Sequence, residues 1–469
     1  MEEAINNNGP SGTDAPSSRF SRGIVFFLGA TVVFSTVAYG AVDFWALGLL
    51  SVLAAVIACL WAADAWRLRE LRFDTSTLQL PVAGLLLIGL IQLLPIGSPG
   101  VSGDLLAVPA SHALSLDPYA TRRFVIHLAV YGLFFAAALT YIDHRDRLRR
   151  LAVFLIIFVS LMSFFAILQR LASLDSIYGL RSSTEAIPFG SFINQHHFAA
   201  LMEMASGLTL GLLFGKATRR ANRPLLIIAA VLMGIAIIFT GSRGGLISFL
   251  AVLGFILVMN FFTRKSPEKT ADEEGDPAGA RGKVMMVAGG AALVAGMFFM
   301  VILLGGDQSA LRGMGLGGAG TQLDFTTGRS HFWGVAVQIF LAHPVTGAGL
   351  DAFGNAYPLY DAWNGIYRVE QAHNDYLQIL ADGGILGFAC VAAFIFLLFK
   401  KSLRVIRDSK NTFRRNTAIG ALAGCFGVLV HSFFDFPLRT PANGFFFLTL
   451  AALATVSIYY PPDRQRRRK

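Results

Sequence analysis

The chain has 469 residues, 54% of them hydrophobic and only 14% charged, with a mean hydropathy of +0.58. A soluble domain carries about a quarter charged residues, so this composition excludes an ordinary soluble fold. The net charge of +10 does not point to nucleic acid. Its basic residues sit in short clusters between apolar runs, as membrane-orientation signals do.

In chain order, the polar segment 1–18 is rich in Asn, Ser, Gly and Pro and is expected to be disordered; it belongs to a cytoplasmic N-terminus spanning 1–22. Apolar runs follow near 23–42, 44–63, 78–95, 123–142, 151–170, 197–214, 224–240, 245–262, 284–304, 384–399, 416–434 and 443–460. Each is long enough to cross a hydrocarbon core of about 30 Å as a helix. The runs are continuous rather than alternating, which excludes a strand barrel. The first ends near Ala38 and Ala41 but is too long for a signal-peptide core, so it reads as a retained anchor. The expected fold is an all-α polytopic membrane protein with about twelve transmembrane helices. Cys59, Cys390 and Cys425 all lie inside apolar runs, without a C-x-x-C pair, and read as inert buried thiols.

Basic clusters orient the runs. Placing the N-terminus inside puts 30 of the 39 Lys and Arg residues on the cytoplasmic side, in seven successive segments ending with the basic tail 461–469. Two connections are long. Residues 263–283 are charged and carry Pro and Gly, as a cytoplasmic linker does. Residues 305–383 fall on the periplasmic side and form the expected catalytic loop. It opens Gly-rich, then RSHFWGVAVQIFLA over 329–342 sets Phe332, Val335, Ile339 and Ala342 on one helical face before His343-Pro344. Such a helix is expected at the membrane surface. A second helix starts near His373 and runs to a turn at Asp382-Gly383-Gly384, ahead of the tenth span.

Few charges remain on the outer face. Arg243 lies in Thr240-Gly-Ser-Arg-Gly-Gly245, a short turn between spans seven and eight. Glycines allow close backbone approach, the following helix offers free N–H groups, and the guanidinium adds a forked donor; together they suit an anion. The competing reading is a snorkelling arginine. Arg329 opens the surface helix, where a cation opposes the helix dipole unless it has a partner. His373, in Gln371-Ala-His-Asn-Asp-Tyr376, is placed where a positive dipole disfavours its charged form, so a neutral imidazole could serve as general base with Asp375 orienting it. Asn194, His196 and His197 start the sixth span. Glu203, two turns deeper, is an intramembrane carboxylate expected to pair with His196 or an arginine. His431, Asp435 and Arg439 mark the outer end of the eleventh span. Histidine and glutamate spacing does not suit zinc, and no P-loop, dinucleotide fingerprint or serine-hydrolase elbow occurs.

The TGSRGG block, the run Thr327-Gly-Arg329…Trp333…His343-Pro344…Gly347-Ala-Gly349, and His373-Asn-Asp-Tyr376 through Gly383-Gly-Ile-Leu-Gly387 resemble the bacterial O-antigen ligase and polysaccharide polymerase superfamily. His431-Ser-Phe-Phe-Asp-Phe-Pro437 resembles a block of some members. The resemblance covers roughly 190–445 and leaves the first five spans without a motif. It implies a GT-C-like, metal-independent membrane glycosyltransferase of the inner membrane, without cofactor. The implied donor is a glycan on undecaprenyl diphosphate, and the acceptor hydroxyl is on lipid A–core or another glycan. In that reading Arg243 and Arg329 hold the diphosphate, His373 is the base, and Asn194, His197, Glu203, Asp375 and Asp435 contact substrate. A transporter or flippase of lipid-linked glycans is the alternative, with Glu203 its main support. Transporters place sites at the midplane between matching halves, whereas the candidates here gather at one surface.

Overall fold

A computed structural model describes residues 18–97, 112–172, 176–183, 186–263, 329–362, 369–456 and 458. The expected disordered N-terminus, most of the 263–283 linker, the ninth span at 284–304, the loop segment 305–328 and the basic tail lie outside the described residues. Among the described residues the regular structure is helical, apart from a hairpin of two-residue strands, Ser176–Ile177 against Arg181–Ser182, and a bridge between Phe189 and Phe192. Its helices are α1 (Arg19–Val37), α2 (Phe44–Leu68), α3 (Gln79–Gln92), α4 (Pro118–Tyr141), α5 (Arg145–Leu171), α6 (Gln195–Phe214), α7 (Arg223–Phe239) and α8 (Arg243–Thr263). They continue with α9 (Arg329–Ala342), α10 (Phe353–Tyr360), α11 (Asp375–Asp408), α12 (Thr412–His431) and α13 (Pro441–Thr455). Among the described residues, eight helices are long and apolar enough to cross a membrane, and α3 and α13 are shorter apolar helices. The run at 416–434 is also helical, as α12. The chain is a multi-pass, all-α membrane protein.

The bundle is organised around α6 and α12, whose surfaces are buried almost all round. Lipid gives helices no hydrophobic reason to associate, so close backbone packing has to supply the attraction. Here Gly207 and Gly211 of α6 meet Gly424 and Gly420 of α12. A Cβ on Gly207 would lie 2.4 Å from the Gly424 nitrogen, and one on Gly211 would lie 2.4 Å from the Gly420 Cα. Each helix therefore presents a G-x-x-x-G stripe to the other, antiparallel. One end of the seam is closed by Asn416, whose amide donates to the Gly215 carbonyl at 3.2 Å. The other end is closed by Glu203 and His431.

The loop helices do not form a separate surface layer. Helix α9 packs Val335, Ala336 and Ile339 onto Ala348, Phe353, Ala356, Tyr357, Ala372 and Ala381, while Ala342 is exposed. Its apolar face is thus turned onto protein. The turn expected at Asp382-Gly383-Gly384 is present: α11 (Asp375–Asp408) is two helical stretches broken at Gly384 (φ 60°, ψ −161°), a conformation essentially restricted to glycine. The break exists because segment 343–350 docks there. Ala348 N–H donates to the Ala381 carbonyl at 2.8 Å, Gly349 N–H to Asp382 at 3.0 Å and Ile385 N–H to Pro344 at 2.9 Å. A Cβ on Gly347 (φ 76°) would lie 2.3 Å from the Asp382 carbonyl carbon, and one on Gly384 2.4 Å from the Val345 oxygen. The GAG and DGG motifs are two halves of one backbone junction. Gln92, at the end of α3, locks it by donating to the Asp382 carbonyl at 2.9 Å and accepting from Leu350 N–H at 2.8 Å.

Candidate active site

The TGSRGG turn, the start of α6, the start of α9, the start of α11 and the segment between α12 and α13 converge at one end of the bundle. At the TGSRGG turn, Thr240 Oγ1 accepts from Ser242 N–H at 3.2 Å and Ser242 Oγ caps α8 by accepting from Gly245 N–H at 3.1 Å. His196 Nδ1 holds the same hydroxyl at 2.9 Å. Gly244 and Gly245 are glycine for want of space. A Cβ on the first would lie 3.0 Å from His431 Nε2, and on the second 2.7 Å from Ala199 Cβ. Arg243 is left exposed at the helix N-terminus, and no described residue hydrogen-bonds or ion-pairs with its guanidinium.

Arg329 approaches from α9. It donates to the Phe434 carbonyl, and its second nitrogen lies 3.8 Å from Asp435 Oδ2. Because Phe434 also packs on Gly244, the two arginines flank one short segment. The partner suspected from the placement of Arg329 is therefore present: Asp435, from the far end of the chain.

His373 sits just before α11 rather than in its first turn; Asn374 is the cap, accepting from Tyr376 N–H at 3.0 Å and Leu377 N–H at 3.1 Å. The His373 backbone is left-handed (φ 51°), costly for a residue with a Cβ and common at functional sites. Asp375 N–H donates to the Ser432 carbonyl at 2.9 Å, which fixes the turn. The ring lies between Phe332 (centroids 6.0 Å) and Phe436 (4.9 Å, nearly perpendicular). Nδ1 hydrogen-bonds Asp435 Oδ1 at 3.0 Å, and no described residue bonds Nε2. Asp435 itself is 1% exposed. Burial opposes its ionisation, but the hydrogen bond from His373 and the nearby Arg329 charge outweigh it, holding the carboxyl well below the usual carboxylate range. A carboxylate on Nδ1 fixes the tautomer with the lone pair on Nε2.

The remaining expected residues are bonded inward. Asp375 accepts from Ser432 Oγ at 2.8 Å and Leu438 N–H at 3.4 Å, so it ties the 432–438 segment while Asp435 orients the histidine. Asn194 caps α6 by accepting from His196 N–H at 2.8 Å. His197 Nδ1 meets Thr440 Oγ1 at 2.7 Å, with its ring nearly perpendicular to Phe436 at a centroid distance of 4.7 Å. Glu203 pairs with His431 at 3.2 Å, not with His196 or an arginine.

Sequence reading placed Arg439 at the outer end of the eleventh span but gave it no partner. Arg439 donates to Asp351 at 2.9 Å and to the buried Asp382, bracing the Asp435 segment against the GAG–DGG junction. The available signal was a second carboxylate–arginine pair on a face with few charges.

No curated protein matches the chain. Residues 228–392 match the family model described as O-antigen ligase, a stretch that holds Arg243, Arg329 and His373 but neither Asp435 nor the first five helices. That stretch is thus similar to the O-antigen ligase family, and the three sequence blocks that carry the resemblance meet at one site.

Proposed function

We propose that this protein is a glycosyltransferase of the inner membrane, with twelve spans, a GT-C-like architecture and both termini cytoplasmic. It moves a glycan from undecaprenyl diphosphate to an acceptor hydroxyl on the periplasmic face. The observation that carries the reading is the His373–Asp435 pair beside two arginines. In the proposed step, His373 Nε2 takes the proton of the acceptor hydroxyl as its oxygen bonds to the anomeric carbon. The bond from that carbon to the diphosphate oxygen breaks, and undecaprenyl diphosphate leaves with the electron pair, inverting the centre. The developing imidazolium is stabilised by Asp435, and the departing diphosphate by the guanidinium groups of Arg243 and Arg329. The acceptor is lipid A–core in a ligase, or another lipid-linked glycan in a polymerase.

The test is reconstitution with a labelled undecaprenyl-diphosphate glycan and acceptor. Wild type is expected to form a covalent product; His373→Gln, which can hydrogen-bond but not accept the proton, is expected to bind donor and transfer nothing. Near-normal transfer by folded His373→Gln would remove the base assignment. Movement of the lipid across the bilayer with no covalent product would favour the flippase reading.

A further inference from the structure

A cleft of about 330 Å³ opens between α4 and α11, with α2, α3, α12 and α13 completing its walls. That volume is at the lower end of the range for small-ligand pockets. One face of α4 sets its character, with Arg123, His127 and Tyr131 spaced four residues apart along the lining. Eight residues of helix span about 12 Å, so the cleft runs from a charged mouth into the apolar zone. At depth it is walled by Leu85, Leu128, Val391 and Leu429.

The mouth holds two guanidinium groups of different standing. Arg439 is occupied by Asp351 and Asp382. Arg123 is braced between the rings of Phe44 (4.9 Å) and Tyr119 (5.2 Å), but its ionic contact to Asp351 is long, 3.8 Å, and its Nε is buried without a partner. A cation held in place yet incompletely paired, above an apolar slot, complements an anionic headgroup on a hydrocarbon chain.

Arg243, Arg329 and His373 do not line this cleft, whereas Gln371 and Asp375, two residues either side of His373, do. Asp375 and Ser432, hydrogen-bonded to each other on the lining of the cleft, belong to the same two segments as His373 and Asp435. Displacement at an anomeric carbon brings the nucleophile in opposite the leaving group, so two lipid-borne reactants need two seats flanking one base. Helices α2, α3 and α4 lie outside the matched residues 228–392, and this cleft gives those three a task.

We propose that the α4–α11 cleft seats the lipid anchor of the acceptor, with an anionic headgroup at Arg123, while the donor diphosphate occupies the Arg243–Arg329 cradle. This rests on the transferase reading above. The test measures binding of rough lipopolysaccharide and of an undecaprenyl-diphosphate glycan to full-length protein in nanodiscs. Leu85→Trp, which fills the slot, is expected to weaken lipopolysaccharide binding by on the order of tenfold or more with donor affinity unchanged. Arg123→Ala, partly exposed and less disruptive to folding, is expected to weaken it several-fold and flatten its salt dependence. Unchanged lipopolysaccharide binding in both variants, or weakening confined to the donor, overturns the assignment. Wild-type transfer is scored in parallel. Transfer with variant-insensitive lipopolysaccharide binding discards the cleft alone. Variant-sensitive binding without transfer keeps the cleft and discards the transferase reading.

Discussion

Replacing Asp435 by Asn changes the charge behind His373 while keeping an oxygen that can accept from Nδ1–H. With the two groups 3.0 Å apart, Coulomb attraction between imidazolium and carboxylate is about 5 kcal/mol at an effective dielectric of ~20. His373 is 29% exposed, so solvent screens part of this, and a net loss of about 1.5–3 kcal/mol fits a hydrogen bond between charged groups. At about 1.4 kcal/mol per factor of ten, kcat for glycan transfer should fall roughly 10- to 150-fold. The donor KM should change less than kcat, because Arg243 is untouched and Arg329 loses only its 3.8 Å contact to Asp435 while keeping its bond to the Phe434 carbonyl. Steady-state assays with labelled donor read both constants. The sign of the stability effect follows from the depressed carboxyl. Its contribution is fully present above the unfolded value of about 4 and is lost as pH falls toward the folded value. Wild type should therefore melt above Asp435→Asn at pH 7, and the gap should narrow below about pH 4. A folded Asp435→Asn enzyme with wild-type kcat and a raised KM would refute the reasoning and return Asp435 to the substrate-contacting role expected from sequence.

Two further outcomes are expected. Arg243→Ala should lower donor turnover by roughly 10²-fold, and Arg243→Lys should rescue poorly because it lacks the planar fork; unchanged turnover in Arg243→Ala would remove the cradle. Single-cysteine variants at Asn355 and Asn222, both exposed, should react with a membrane-impermeant thiol reagent from opposite sides, and same-side labelling would reject the proposed orientation.

Most spanning helices were legible in the sequence because bilayer thickness sets a length and lipid sets a composition, both local properties. Arg329–Ala342 could be read for the same reason, its periodicity and its His-Pro stop being contiguous in the chain. The arginines and His373 stood out because charge and imidazole are rare on that face. Partnerships were another matter. His373 is held by Asp435, 62 positions away, and Glu203 by His431, 228 positions away. No spacing rule reaches that far: the pairing depends on which helices lie side by side. That choice rests on the Gly207–Gly211 and Gly420–Gly424 stripes, visible in sequence as two G-x-x-x-G motifs but meaningful only once they face each other. The same packing kept Asp375, next but one to His373 in the chain, away from the ring and brought Asp435 to it. Residue type and local pattern determined that this is a membrane protein with cations and a histidine on one face. Long-range backbone contact decided which carboxylate serves that histidine.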